Sequence, residues 1–203
     1  MNVRLKYSTV FTAGVFYDSQ LLMNNYRLAI EFTTVSDDSR DQNIALDRIR
    51  YFVQHQLESS VFINGNNSEQ CELLSRAGVR LTTLPEEPVD QVVGIMLHCK
   101  LNAITEDRMI ITQTEISSEL GENIAYLHDD DEQLGPLSDA GWWRDSDASH
   151  CDRQLVSTDK VVTMNFNRSW RELNLQWTQE SSIVEADRDN KLVFADFQKD
   201  DSR

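Results

Sequence analysis

Between residues 26 and 32 the apolar side chains fall on every second position. Tyr26, Leu28, Ile30 and Phe32 share one face, with Arg27 and Glu31 on the other. That is the period of a strand with one buried side. The preceding stretch "VRLKYSTVFTAGVF" is rich in β-branched and aromatic residues and predicts a first strand, joined to the second by a loop over "YDSQLLMN". Gly14 marks a bulge or bend in it. After the capping residues of "SDDSRDQN" the period changes to that of a helix. Leu46, Ile49, Val53 and Leu57 form a stripe that Phe52 widens, while Asp47, Arg48, Arg50 and Gln54 point elsewhere. "NGNN" ends this amphipathic helix. Ser68 caps a shorter one, "EQCELLSRA", which stops at Gly78, and "LPEEP" follows as a loop.

Strand-like alternation then returns. In "QVVGIMLHCKLNAI", Ile95, Leu97, Cys99 and Leu101 alternate with Met96, His98 and Lys100. "TEDR" makes a turn, and "MIITQTEI" predicts a second strand whose pattern stops at Glu115. A helical-looking stretch and the acidic run "HDDDE" come next. The predicted order is ββααββ, an α+β domain with an antiparallel sheet over residues 1–132. Residues 133–203 form an extension packed on it. This begins as a polar loop that Trp142 and Trp143 tie down. It continues as three short strands, "KVVTMNFN", "WRELNLQW" and "NKLVFADF".

Charge narrows the function classes. Among 203 residues, 34 acidic side chains face 19 basic ones, a net charge of −15, and no basic cluster stands out. A nucleic-acid partner is therefore not expected, since neutralising phosphates takes a Lys/Arg surface. Cys71, Cys99 and Cys151 form no CxxC pair, which predicts thiols in a reducing compartment. The opening residues lack the apolar core of a signal peptide, and no apolar run reaches the length of a membrane span. The expectation is a cytoplasmic protein with no membrane partner.

Three local patterns carry a resemblance. "FTAG" at 11–14, "NNYRLAIEF" at 24–32 and "TEISSELGENIAY" at 114–126 resemble, in this order, segments of the 6-pyruvoyl-tetrahydropterin synthase and 6-carboxytetrahydropterin synthase family. The resemblance covers residues 1 to about 130 and implies the tunnelling fold, in which sheets join edge to edge across subunits into a homo-oligomeric barrel. It also implies that Glu115, with Thr114 beside it, holds the ring of a pterin or purine-like ligand. A carboxylate suits that role: it accepts a ring N–H and a neighbouring amino group together, in charge-assisted hydrogen bonds. The family's zinc, however, rests on three histidines, and their positions fall on Val15, Leu22 and Asn24. None is a good zinc ligand. The family's cysteine falls at Asp18, and its Asp-His pair falls near Glu58 and Ser59. The resemblance therefore implies a zinc-independent ring binder with no metal or other cofactor. Any activity would be a pterin synthase-like lyase, or a hydrolase, around a degenerate metal site.

Other constellations point less far. Two His-Cys pairs, His98-Cys99 and His150-Cys151, invite a metal, but neighbours on a strand point to opposite faces. "HDDDE" offers oxygen ligands without the spacing of a calcium loop. Trp142, Trp143 and Arg144 suit either a stacking platform or a loop staple. A non-catalytic acidic protein that engages a basic partner is the alternative function.

Overall fold

The computed structural model describes residues 4–129, 134–150 and 168–178. Strands β1 (Leu5–Tyr17) and β2 (Gln20–Thr34) form a long antiparallel hairpin in unbroken register from Leu5↔Phe32 to Tyr17↔Gln20. Asp18 and Ser19 turn the chain with φ of 49° and 60°, the left-handed pair that matches the twist of a two-residue hairpin. The expected loop over "YDSQLLMN" is thus a two-residue turn, and Gln20–Asn24 belongs to the strand. Alternation assigns the faces as expected: Phe11, Ala13 and Val15 are buried with Tyr26, Leu28, Ile30 and Phe32, while Val10, Asn25 and Arg27 are exposed.

Helix α1 (Ser39–Tyr51) starts at Asp38, whose side chain accepts the Arg40 backbone N–H at 2.8 Å. It runs without interruption into a π-helical turn, Phe52–Leu57, before the chain reverses at Ser59 with φ 61°. The short helix expected at "EQCELLSRA" is α2 (Ser68–Arg76), and it is flanked by two strands that were not expected, β3 (Val61–Asn64) and β4 (Leu81–Leu84). β3 runs parallel to β1, and β4 parallel to β3. The sheet is therefore mixed, not antiparallel throughout. Gly14 makes no bulge. It sits opposite Val61, where an added Cβ would lie 2.8 Å from Val61 Cγ2, so close approach of β1 and β3 requires glycine.

The largest departure is residues 90–105. They form helix α3 (Asp90–Thr105), not a strand. Its apolar residues lie nearly all round, so the run alternates like a strand while burying like a central helix. β5 (Met109–Ser118) and β6 (Tyr126–Asp129) complete a six-stranded sheet in the order β4-β3-β1-β2-β5-β6. The fold is α+β, with element order ββαβαβαββ. Glu115 lies inside β5, which continues to Ser118. The helix expected after it is a turn, with Glu122 and Asn123 left-handed, followed by β6.

α1, its π turn and α3 pack on one face of the sheet in a single core. α2 covers the other face only at the β3–β4 end, where Cys71, Val61, Ile63 and Leu81 form a small second core. Trp142 and Trp143 are buried in the main core and donate their indole N–H groups to the carbonyls of Thr83 and Leu137. Lys100 of α3, fully buried, pins the same loop by donating to the carbonyls of Trp142 (3.0 Å) and Asp145 (2.7 Å). Of the three late strands expected, "WRELNLQW" is a turn followed by irregular chain. "KVVTMNFN" and "NKLVFADF" lie outside the described residues. No helix among the described residues is long and apolar enough to cross a membrane.

Candidate functional site

Across β1, β2, β5 and β6 the second face of the sheet carries no helix among the described residues. Register places Ser8, Ala29, Glu115 and Leu127 in one row across the four strands. Two of these side chains are small, so Glu115 stands beside a flat shelf. Its side chain is 40% exposed, and the carboxylate meets Lys6 Nζ at 3.3 Å. An exposed pair of this kind contributes at most about 1 kcal/mol and yields readily to a better donor. The next row on one side holds Lys6, Glu31 and Gln113; on the other it holds Val10, Arg27 and Ser117.

Thr114 does not share this face. The two-residue period of β5 turns it into the core, where its Oγ1 lies 3.1 Å from His98 Nδ1. Asn102 lies on the other side of the His98 ring. Asn102 Oδ1 accepts the Ile111 N–H at 2.9 Å, so Asn102 Nδ2 is the group facing His98 Nε2 at 3.4 Å. The two protons of that amide go to the carbonyls of His98 at 3.2 Å and Ile111 at 3.1 Å. His128 packs edge-to-face on the same ring at 4.6 Å.

Val15, Leu22 and Asn24, where the resemblance would put zinc-binding histidines, lie on the hairpin. Val15 pairs with Leu22, Asn24 lies one repeat along, and all three are on the helix-facing side. Asn24 is buried, and its Oδ1 accepts the Leu120 N–H at 3.1 Å. Among the described residues no three His, Cys, Asp or Glu side chains form a metal-like cluster. His98 and Cys99 both lie on α3, so strand alternation does not set their directions. His98 is buried and Cys99 half-buried, its thiol pKa pushed up by burial. Cys151 and most of the acidic run, Asp130 to Glu132, lie outside the described residues.

Sequence reasoning missed a second feature of the same face. A groove of about 380 Å³ is lined by Thr12, Asn25, Arg27, Glu58, Glu119 and Asn123. The π turn delivers Glu58 to the β1 edge, and no periodicity announces such a turn. The β5–β6 turn delivers Glu119 and Asn123. It is fixed at Ser118, whose hydroxyl donates to Asp90 at 2.8 Å and accepts the Gly121 N–H at 3.0 Å. Burial pushes the Asp90 carboxyl pKa up, against the opposing pull of the Ser118 hydrogen bonds. The one available signal was the pair of polar residues Asn24 and Asn25 at the start of an otherwise regular alternation. No family model matches this chain, and no curated protein matches it.

Proposed function

We propose that this chain is a zinc-independent, pterin synthase-like protein of the tunnelling-fold type. In this reading it assembles as a homo-oligomer in the cytoplasm and holds a pterin or purine-like ring against Glu115. The observation that carries the proposal is the row Ser8–Ala29–Glu115–Leu127. It joins an accessible carboxylate to small neighbours on a sheet face that no described helix covers, leaving room for a flat ring to lie beside an acceptor of two N–H groups. Topology lends support. With the β3–α2–β4 unit set aside, the remaining elements run ββααββ, with an antiparallel sheet in the order β1-β2-β5-β6 and both helices on one side. Edge-to-edge joining of such sheets would curl this face into the inside of a barrel and shelter the ring site together with exposed Val10, Met23 and Leu127.

The proposal covers binding first. A lyase or hydrolase step would need a proton-transfer group beside the ring, and the adjacent row supplies Lys6 and Glu31. The test is a thermal-shift series with neopterin, guanosine and 7-deazaguanine on wild type and Glu115→Gln, with oligomeric state measured by sedimentation. A ligand at a hundred times its Kd stabilises by about 2.7 kcal/mol. The expected result is a shift in wild type that is lost in Glu115→Gln while the assembly is unchanged. Equal shifts in both proteins, or none with any ring, would reject the reading.

A further inference from the structure

The groove beyond the Arg27 row carries charges of both signs that are not paired with each other. Its floor is Thr12 and Asn25. Thr12 Oγ1 donates to Asn25 Oδ1 at 2.8 Å, which sets the amide so that Nδ2 donates to Glu119 Oε2 at 2.9 Å. At the β1 edge, Glu58 Oε2 accepts the Thr12 backbone N–H at 3.0 Å. Each carboxylate thus has one oxygen tied to the protein, and its other oxygen has no hydrogen-bond or ion-pair partner among the described residues, with Arg80 within electrostatic reach of Glu58. A carboxylate only accepts, so these oxygens call for donors. Arg27 is exposed on the same wall, and its guanidinium makes no hydrogen bond or ion pair with any described residue. Asn25 occupies Glu119 and leaves the Arg27 fork open.

The backbone around the groove is costly to form. The π turn precedes Glu58, Ser59 has φ 61°, and Glu122 and Asn123 have φ of 57° and 59°. Such conformations concentrate where a fold holds side chains for a purpose. A simple cation would meet the Arg27 charge, and a simple anion would meet two carboxylates. No third ligand of a metal-like cluster is present among the described residues. A molecule with a donor-rich cationic part and a carboxylate satisfies every open group at once.

We propose that this groove binds a zwitterion of the amino-acid type, its cationic groups taken by Glu58 and Glu119 and its carboxylate by Arg27. The site is separate from the Glu115 shelf and does not depend on ring binding there. The test titrates L-arginine, L-lysine and L-ornithine, each beside its decarboxylated counterpart agmatine, cadaverine or putrescine, and follows the backbone amides of Thr12, Asn25 and Asn123 by NMR. At least one amino acid is expected to bind about tenfold or more tightly than its counterpart, a difference of about 1.4 kcal/mol. Arg27→Met should erase that preference, Glu119→Gln should weaken both members of the pair, and Glu115→Gln should change neither. Arg27 is solvent-exposed, so its replacement leaves the fold intact. No amide shift with any of the six compounds into the millimolar range would overturn the proposal. So would equal binding within every pair, or a preference that survives Arg27→Met. Absence of ring binding in the thermal-shift series would leave it standing.

Discussion

His150 is buried beside positive charge. Burial first, then Arg80 and Lys100, pulls its pKa from 6.5 down to about 4, and its Nδ1 has no hydrogen-bond partner among the described residues. The folded-state value is depressed, so the stabilising contribution of the neutral ring is complete above about pH 6.5. It is lost as pH falls toward 4, because the unfolded chain takes up a proton that the folded chain refuses. At 1.36 kcal/mol per unit the full loss is on the order of 3 kcal/mol. Urea midpoints at pH 7 and pH 4.5 check this. Wild type should lose more stability over that interval than His150→Gln, and parallel losses would show that this histidine does not set the acid limit. The same scale separates the two ring-site expectations. Glu115 and Thr114 are neighbours in sequence, and a strand cannot point both at one ligand. Which of them faced solvent depended on which side of the sheet the helices took.

At the scale of elements, the hairpin and the amphipathic helix were legible because each has one wet side. Tyr26, Leu28, Ile30 and Phe32 alternate, and Ile49, Val53 and Leu57 recur at helical spacing, because solvent enforces polar residues between them. α3 has little such contrast. Val92, Val93, Ile95, Met96, Leu97, Leu101 and Ile104 are all buried, so no period distinguishes helix from strand, and only the length of 16 residues argues for a helix. Gly94 shows how closely that helix lies on the sheet. A Cβ there would sit 3.0 Å from Ile116 Cγ2 and 3.2 Å from Tyr126 Cδ1. Gly94→Val should therefore cost about 1–3 kcal/mol through overpacking, despite the gain in helix propensity over glycine. Chemical denaturation measures it, and a variant as stable as wild type would mean that α3 and β5 separate easily. β3 and β4 were missed because four-residue strands are too short to display a period. What makes them strands is the hydrogen-bonding edge that β1 offers.

Over the whole molecule, residues 168–178 are held by aromatic and charged contacts. Arg48, almost fully buried, stacks on Trp177 with Cζ 3.7 Å from the ring centre, and Arg108 stacks on the same ring at 4.8 Å. Arg48 also donates to the Leu175 carbonyl at 2.8 Å and to Glu106 at 2.7 Å, while Asp41 accepts both the N–H and the hydroxyl of Thr178. Trp177→Ala removes a buried indole and its two cationic neighbours' contacts, which should cost about 3–5 kcal/mol. The measurement is a denaturation curve. A loss near zero would mean that the segment contributes nothing to the stability of the sheet and helices. A buried arginine as the anchor of a distant segment had no signature in sequence, where Arg48 read as a polar residue off the helix stripe.

The sequence by itself determined the elements that have a wet and a dry side, the hairpin faces and the acidic balance of the chain. Those properties follow from residue type and local period alone. Tertiary structure decided the rest. Burial on every side made α3 a helix, and the edge of β1 recruited β3 and β4. The side of the sheet on which the helices packed put Glu115 in solvent and Thr114 in the core. Meeting of the π turn with the β5–β6 turn made the groove that joins Glu58 to Glu119, residues 61 positions apart in the chain. Contacts of that range depend on which surfaces remain after the core has formed, and no local period encodes them.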